Sequence, residues 1–325
     1  MKVAINGLGR IGRVFLKIAV EKGIDITAVN DLVDTATLVY FLKYDSVYGN
    51  YKEKIEYGKD FIKIRNKKIK VFAEKDPEKL PWKELGVDVV VESTGVFTDK
   101  ENCLKHIKAG AKKVLLTAPG ENCDITIVSG VNENELKKEH KIISMASCTT
   151  NCLAPVAKIL NDNLKIEKGF MTTAHAYTND QKIVDCPHKK LRRGRAAAIN
   201  IIPTSSGATK SVAEVIPSLK GKMDGLALRV PVACGSIVDF VCIVKKQTSV
   251  KEVNEMMKNA SNGKLKGILQ YCEDEIVSSD VIGNPASSIF DSLLTQVNGN
   301  LVKVLSWYDN EYGYSCRLAD LLKKL

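Results

Sequence analysis

Residues 2–23 read KVAINGLGRIGRVFLKIAVEKG, and this stretch predicts the architecture of the first half of the chain. KVAIN has the apolar character of a buried strand. From Ile11 onward, apolar side chains recur at the i, i+3, i+4, i+7 and i+8 positions of a helix, and Gly23 stands where a C-cap belongs. Between strand and helix lies Gly7-Leu8-Gly9-Arg10-Ile11-Gly12, a G-x-G-x-x-G turn. This order indicates the first strand and helix of a parallel α/β sheet.

Outward from this stretch, short apolar runs alternate with helical patterns as far as residue 147, which predicts a parallel sheet covered on both faces. Further strands are expected at residues 26–30, 88–94, 113–119, 125–130 and 141–147, and a helix between Asp99 and Lys112. From residue 148 the pattern changes to a helix followed by longer strand-like runs, which predicts a mostly antiparallel sheet. These strands are expected at residues 169–178, 225–232, 236–246 and 300–309, with a helix at 249–261. The fold class is therefore α/β: a Rossmann-type doubly wound sheet followed by an α+β domain, with the boundary at 147/148.

Size and composition narrow the class of protein. The chain has 325 residues, which favours two domains. Its formal net charge of +10 allows a nucleic-acid surface, but the lysines are scattered and only KKLRRGR (189–195) is dense, so attraction of anionic ligands is the preferred interpretation. No secretion signal opens the chain and no apolar run reaches the roughly 18 residues of a membrane helix, so a cytoplasmic location is expected.

The nine cysteines argue against a disulfide framework and against a metal site. Their number is odd, their spacing is irregular and no C-x-x-C occurs. Most are expected to be small buried side chains.

The glycine-rich turn predicts a dinucleotide site. Asp31 ends the second strand, 19 residues after Gly12, where a carboxylate can accept hydrogen bonds from a ribose. The same carboxylate would repel the extra phosphate of NADP, so NAD is the expected cofactor. The alternative is a glycine turn that binds nothing.

Cys148 is the candidate nucleophile. It follows a buried strand and begins a helix, where unpaired N–H groups and the helix dipole lower a thiol pKa. The alternative is a buried cysteine behind an N-cap at Ser147. Cys152 lies one turn further into the helix and is interpreted as structural.

Four histidines are available as a base. His106 and His140 stand in polar helical contexts and are expected on the surface. His175 lies near the end of a small, apolar strand, where it is either a satisfied core residue or the base for the thiol.

Together these residues resemble phosphorylating glyceraldehyde-3-phosphate dehydrogenases over nearly the whole chain. The matching blocks are NGLGRIGR, VESTGVFT, ASCTTNCLAPVAK, TTAHAYTNDQ, RRGRAAAINIIPTSSGATK, LALRVPV and SWYDNEYGYS. The resemblance implies an NAD-binding domain over 1–147, a catalytic domain over 148–310 and a C-terminal helix, 311–325, that packs back on the first domain. It also implies oxidation of glyceraldehyde 3-phosphate through a thioester and its release as an acyl phosphate, a step of glycolysis and gluconeogenesis.

The resemblance also assigns the site residues. Cys148 is the nucleophile, and His175 is the base that in its charged form helps to hold the thiolate. The cofactor residues are Asn6, Gly7, Gly9, Arg10, Ile11, Gly12, Asp31, Thr117 and Asn310, the last of which bonds the nicotinamide carboxamide. One phosphate site is assigned to Thr178, Arg195 and Arg229, and another to Ser147, Thr149, Ser206 and Gly207. Leu32 and Pro187 match the NAD-using members, and Ser205-Ser206 replaces the family's common threonines while keeping the hydroxyls.

Two rival functions stay open at this point. A sister enzyme acting on erythrose 4-phosphate shares every block quoted. A non-catalytic NAD-responsive nucleic-acid binder could use the basic residues 189–195, which the resemblance places instead in a subunit interface of a homotetramer.

Overall fold

A computed structural model describes all 325 residues, and they form two compact units. The first unit comprises Met1–Ile127, Asn134–Ala146 and Ser315–Leu325. The second comprises Val128–Glu133 and Ser147–Tyr314. No helix has the length and apolar character that a membrane crossing requires.

The first unit is built on a nine-stranded sheet in the order β3-β4-β5-β2-β1-β6-β7-β9-β8. Its strands are β1 (Lys2–Asn6), β2 (Asp25–Asn30), β3 (Ile55–Tyr57), β4 (Phe61–Ile64), β5 (Lys67–Phe72), β6 (Val89–Glu92), β7 (Lys113–Leu116), β8 (Ile125–Thr126) and β9 (Ile142–Ser144). Its helices are α1 (Arg10–Glu21), α2 (Thr35–Lys43), α3 (Trp82–Leu85) and α4 (Lys100–Lys108). All strand pairs are parallel except β3–β4 and β4–β5, so the predicted parallel sheet is confirmed.

The opening stretch folds as its pattern predicts. Val3, Ala4 and Ile5 are fully buried, as expected of a strand covered on both faces. Helix α1 buries its apolar stripe, and Gly23 takes the left-handed conformation (φ +68°) just beyond the helix end.

All four strands predicted between residues 88 and 147 are shorter than expected, the last two most clearly, and the β3–β5 segment was not predicted. The strand expected at 125–130 spans only Ile125–Thr126, and the one expected at 141–147 ends at Ser144. The second ends early because Ala146 adopts a left-handed conformation (φ +53°) and donates its N–H to Ser144 Oγ at 3.0 Å. This turn leads directly into the helix that begins at Cys148.

The second unit is built on a seven-stranded sheet in the order β11-β12-β10-β13-β16-β15-β14. Its strands are β10 (Ile166–Ala176), β11 (Ile202–Ser205), β12 (Met223–Val230), β13 (Ser236–Val244), β14 (Leu269–Cys272), β15 (Ser288–Asn298) and β16 (Leu301–Tyr308). Its helices are α5 (Cys148–Leu164), α6 (Ala208–Val215) and α7 (Val250–Asn262). Only β10–β12 and β14–β15 are parallel pairs, so the predicted mostly antiparallel sheet is confirmed, although β11, β14 and β15 were not predicted.

A last helix, α8 (Tyr312–Leu322), returns to the first unit from Ser315 onward. Leu318 and Leu321 are fully buried, and Asp320 accepts a hydrogen bond from Lys22 Nζ on α1 at 2.7 Å. The first unit is therefore completed by residues from both ends of the sequence.

Candidate active site

The three glycines of the turn after β1 have different structural tasks. Gly7 has φ +94°, and a Cβ there would lie 2.8 Å from Thr94 N. A Cβ on Gly12 would lie 2.0 Å from Gly7 O, so close packing requires this glycine too. Gly9 differs, because a Cβ there would meet no atom within 4 Å. The turn thus has an open surface over Gly9, where a ligand can approach the backbone.

The start of α1 provides donors for an anion. No side chain caps the helix at Gly9, so the first N–H groups of α1 have no intrahelical partner. The guanidinium of Arg10 is turned to Asp45, with Nη1 2.8 Å from Oδ2, so Arg10 offers its backbone rather than its side chain. This arrangement fits the pyrophosphate of a dinucleotide.

Asp31 is positioned beside this turn. Its Oδ2 accepts a hydrogen bond from Leu8 N at 2.7 Å, and its Oδ1 accepts one from Val33 N at 3.1 Å. The carboxylate follows β2, at the carboxyl end of the parallel strands, where ligands of such sheets bind. Thr117 follows β7 at the same sheet edge and donates its N–H to Glu92 O at 3.0 Å. Both residues therefore lie where the sequence predicted a cofactor.

Cys148 begins helix α5, as predicted. Ser147 is the N-cap, and its Oγ accepts the Thr150 N–H at 3.0 Å. The Cys148 thiol is only partly buried, and its Sγ lies 3.4 Å from His175 Nε2 near the end of β10. A thiol and an imidazole are thus brought together from residues 27 positions apart.

The ring orientation of His175 is held by its other nitrogen. Nδ1 lies 2.6 Å from Ala176 O and also contacts the Arg229 guanidinium. The Ala176 carbonyl can only accept and the Arg229 guanidinium can only donate, so Nδ1 has a hydrogen-bond partner in either tautomer, and the ring is held with Nε2 facing the sulfur. Nε2 is thus the ring nitrogen in position to exchange a proton with the thiol or with a substrate bound to it.

Arg229 on β12 supplies the positive charge of the site. It pairs with His175 in the sheet register, and its Nη1 donates to Ala176 O at 2.9 Å. Its Nε is buried and makes no hydrogen bond. No anionic side chain bonds this guanidinium, and its unpaired Nε is the kind of donor that a bound phosphate requires.

The electrostatics of the pair are set by burial and by Arg229. Burial raises the pKa of the Cys148 thiol, whereas the Arg229 cation and the N–H groups at the start of α5 lower it. Burial and Arg229 together lower the pKa of His175 to about 3. Burial, the larger effect, and the neighbouring guanidinium both disfavour a cation on the ring, so they favour neutral His175 near pH 7.

A hydroxyl chain lies behind the thiol. Thr173 Oγ1 donates to Ile237 O at 2.9 Å, so it accepts from Tyr308 OH at 3.0 Å. Tyr308 in turn accepts from Thr149 Oγ1 at 2.9 Å. Sequence reasoning missed Tyr308 as a site residue, although it stands in the quoted SWYD block and is buried by the alternation of β16.

The residues predicted to bind phosphate are not all together. Ser206 Oγ accepts the Ala208 N–H at 3.2 Å, and Gly207 is the uncapped N-cap of α6, so both offer an anion site at a helix start. Thr178 is exposed and donates to Gln181 Oε1 at 3.3 Å. Arg195 is paired with Asp185 at 2.7 Å, with its side chain 61% exposed.

Comparisons with known proteins agree with this geometry. Residues 147–310 match the family model described as glyceraldehyde 3-phosphate dehydrogenase, C-terminal domain, and residues 1–100 match the NAD binding domain of the same family. Full-length relatives named glyceraldehyde-3-phosphate dehydrogenase include one from Borreliella burgdorferi, 56% identical over 100% of this chain and 99% of its own. Others come from Thermotoga maritima, 56% identical (100% and 98% covered), and Geobacillus stearothermophilus, 54% identical (99% and 97% covered).

The chain belongs to the glyceraldehyde 3-phosphate dehydrogenase family. This membership confirms the predicted enzyme class, an NAD-dependent oxidoreductase, and the predicted cofactor, NAD. It also confirms the glycolytic activity expected from the sequence, because all the relatives compared here carry that name over the whole chain.

One sequence prediction about this dehydrogenase is wrong: His106 is not on the surface. It is fully buried on α4, with Nε2 3.0 Å from Glu92 Oε2 and Nδ1 accepting from Trp82 Nε1 at 3.0 Å. Glu92 also accepts from Asn6 Nδ2 at 2.6 Å, and this anchors the residue before the glycine turn. The polar neighbours of His106 in the sequence concealed this, because its partners lie on β6 and α3.

The basic loop of this dehydrogenase turns Arg193 toward the segment that holds the predicted phosphate residues Ser206 and Gly207. Arg193 Nε donates to Thr204 Oγ1 at 2.7 Å, next to the Ser206–Gly207 turn. Its charge also contributes to lowering the pKa of Arg229, after the larger effect of burial, so the two guanidinium groups interact electrostatically. Arg193 and Arg195 therefore have different partners, Thr204 and Asp185. The spacing of the two arginines in the sequence did not indicate which partner each one has.

Proposed function

We propose that Cys148 and His175 carry out the NAD-dependent oxidation of glyceraldehyde 3-phosphate to 1,3-bisphosphoglycerate. The observation that carries this proposal is the 3.4 Å separation of Cys148 Sγ and His175 Nε2, with Nε2 of the imidazole facing the sulfur. Cys148 Sγ attacks the aldehyde carbon and forms a hemithioacetal. His175 Nε2 accepts the hydroxyl proton as this adduct becomes a thioester.

Bound NAD supplies the acceptor for the hydride that leaves the substrate carbon. Its pyrophosphate is assigned to the N–H groups at Gly9, Arg10, Ile11 and Gly12, and its carboxamide to Asn310. Asn6 and Gly7 shape the turn, Asp31 accepts from the ribose, and Thr117 lines the same edge of the sheet.

Inorganic phosphate then attacks the thioester carbon, and the C–S bond breaks to release the acyl phosphate and the Cys148 thiolate. The donors for the two phosphates are assigned to Ser147, Thr149, Thr178, Ser206, Gly207 and Arg229. We propose Arg193 in place of Arg195, since Arg193 is the arginine of the loop that bonds Thr204 and interacts electrostatically with Arg229.

The test compares Cys148→Ser with Cys152→Ala as a matched control. Cys152 is fully buried, its Sγ lies 3.6 Å from Ser306 O, and burial raises its pKa to about 12, which fits a structural thiol. Cys148→Ser is expected to abolish NADH formation while NAD binding, measured by calorimetry, is retained. Cys152→Ala is expected to keep most activity, and a folded but inactive Cys152→Ala protein would overturn the assignment.

The dependence of the rate on phosphate distinguishes this activity from that of the nearest rival, the enzyme that acts on erythrose 4-phosphate. An enzyme that transfers its acyl group to phosphate needs phosphate or arsenate for steady NADH formation. Equal rates with glyceraldehyde 3-phosphate and no phosphate, or a preference for erythrose 4-phosphate, would favour the sister activity.

We also propose that the chain is a cytoplasmic homo-oligomer, with a tetramer as the expected form. Support comes from large apolar side chains left exposed on the second unit, chiefly Ile183 (89%), Val184 (70%), Leu191 (85%), Ile199 (80%), Ile201 (66%) and Phe170 (71%). The nine free cysteines fit a reducing compartment. Nucleic acid is not proposed as a main partner, because Arg193 in the basic loop is bonded within the protein.

Analytical ultracentrifugation tests the assembly. The unaltered protein is expected to sediment as a tetramer, and Ile199→Asp is expected to shift it to smaller species because a charge would be buried at the interface. Val250→Asp, at an exposed position of α7, is the control and should leave the mass unchanged. A monomeric unaltered protein would contradict the proposal.

A further inference from the structure

The side chain of Asn310 is held in one orientation by two donors. Asn310 is buried, and its Oδ1 lies 3.2 Å from Gly235 N and 2.9 Å from Ser236 Oγ. A backbone N–H can only donate, so the atom it meets must be the amide oxygen. The Nδ2 group is therefore turned away from both and keeps its protons for another acceptor.

The proton of Ser236 can be assigned in the same way. Ala176 N–H donates to Ser236 Oγ at 3.1 Å, which uses a lone pair of that oxygen. The hydroxyl proton is then free to be donated to Asn310 Oδ1. Ser236 is almost completely buried, so water does not compete for these bonds.

Of the two donors to Asn310 Oδ1, the Ser236 hydroxyl can be removed by substitution, whereas Gly235 cannot be replaced. Gly235 has φ +88°, and a Cβ there would lie 2.1 Å from Ser278 O, so only glycine fits. The backbone next to Asn310 is fixed as well, because Asp309 accepts from Glu311 N and Tyr312 N, each at 2.8 Å. The Ser236 hydroxyl is therefore the one adjustable contact that sets the amide orientation.

We propose that Ser236 is a positioning residue of the reaction, which acts by fixing the carboxamide of Asn310 toward the nicotinamide. This rests on the cofactor role proposed for Asn310. The same hydroxyl bonds the N–H of Ala176, whose carbonyl orients His175. One buried oxygen thus couples the group that orients the cofactor to the strand end that orients the base.

The experiment is a double-mutant cycle with Ser236→Ala, Asn310→Ala and the double variant in the full-length protein. Ser292→Ala is the control, since its buried hydroxyl donates to Cys272 O at 2.7 Å, elsewhere in the same sheet. The readouts are NAD affinity by calorimetry, thermal midpoint, and the side of the nicotinamide ring that receives deuterium from 1-deuterated glyceraldehyde 3-phosphate.

Ser236→Ala is expected to weaken NAD binding about fivefold to tenfold, the effect of one lost hydrogen bond, and to place part of the deuterium on the second ring face. The double variant should bind NAD no more weakly than Asn310→Ala, because Ser236 acts through Asn310. Ser292→Ala should lower the thermal midpoint without changing either cofactor readout.

Two results would overturn the positioning role of Ser236, and both can be distinguished from a failure of the cofactor role proposed for Asn310. Ser236→Ala with a lower midpoint but unchanged NAD affinity and deuterium placement would show a purely structural hydroxyl. Additive losses in the double variant would show that Ser236 does not act through Asn310. If Asn310→Ala itself leaves NAD affinity and deuterium placement unchanged, the cofactor role of Asn310 fails first.

Discussion

At the scale of single residues, the reactivity of Cys148 depends on a balance between burial and one cation. Burial opposes a thiolate beside the His175 ring, and it also opposes an imidazolium. Arg229 favours the deprotonated form of both groups. The guanidinium therefore promotes a thiolate while it helps to keep the neighbouring imidazole neutral.

This balance predicts that the pH midpoint for alkylation of Cys148 depends on Arg229. Replacing Arg229 with Gln removes the cation that lowers the pKa of Cys148, so the thiol pKa rises and less thiolate exists at any given pH. The pH midpoint of iodoacetamide alkylation at Cys148, followed by peptide mapping, is expected to move upward. Arg192→Gln, an exposed change in the same basic loop, is the control. A midpoint that stays fixed or falls in Arg229→Gln would refute this balance.

The sequence predicted the chemistry of individual residues better than their partners. Cys148 at a helix start could be recognised because a strand, an N-cap and a helix are local patterns. His106 could not, because Glu92 and Trp82 stand 14 and 24 residues away and nothing local indicates that they meet. Arg193 and Arg195 were likewise indistinguishable until the loop conformation showed which one bonds Thr204.

At the scale of elements, the strand–turn–helix unit of β1 and α1 was predicted within two residues, because its periodicity and its glycines agree. The β3–β5 segment was not predicted because its strands are short, three to six residues each, so each one offers few positions from which to recognise a pattern. β14 escaped because it has four residues at the edge of a sheet. Strands at the edge of a sheet have fewer buried positions, so the apolar periodicity in their sequences is weaker.

The glycine turn supplies a matched pair of variants. Gly12→Ala would put a methyl group 2.0 Å from Gly7 O, so a loss of stability of roughly 2 kcal/mol or more is expected, together with loss of NAD binding. Gly9→Ala has open space around its methyl group, so its stability should change little while NAD affinity falls. Urea unfolding and calorimetry measure the two effects. A Gly9→Ala protein with unaltered NAD affinity would show that the ligand does not approach the turn there.

At the scale of the molecule, the first unit depends on a helix contributed from the far end of the sequence. Leu321 of α8 is fully buried there. Leu321→Ala is expected to cost about 2–5 kcal/mol in that unit, as for other large-to-small core changes. Hydrogen exchange read by mass spectrometry should show faster exchange in β1, β2 and β6, with β10 and β13 as the internal reference. Uniformly faster exchange in both sheets would contradict a local effect.

The order in which the chain is synthesised gives α8 a further consequence. Every residue of the second unit is translated before Ser315–Leu325, the segment that completes the first unit. The surface of the first unit that contacts α8 therefore stays uncovered until the 168 intervening residues (147–314) have been translated. Nascent chains halted before α8 should consequently be the form of this protein that chaperones retain and proteases cut most readily.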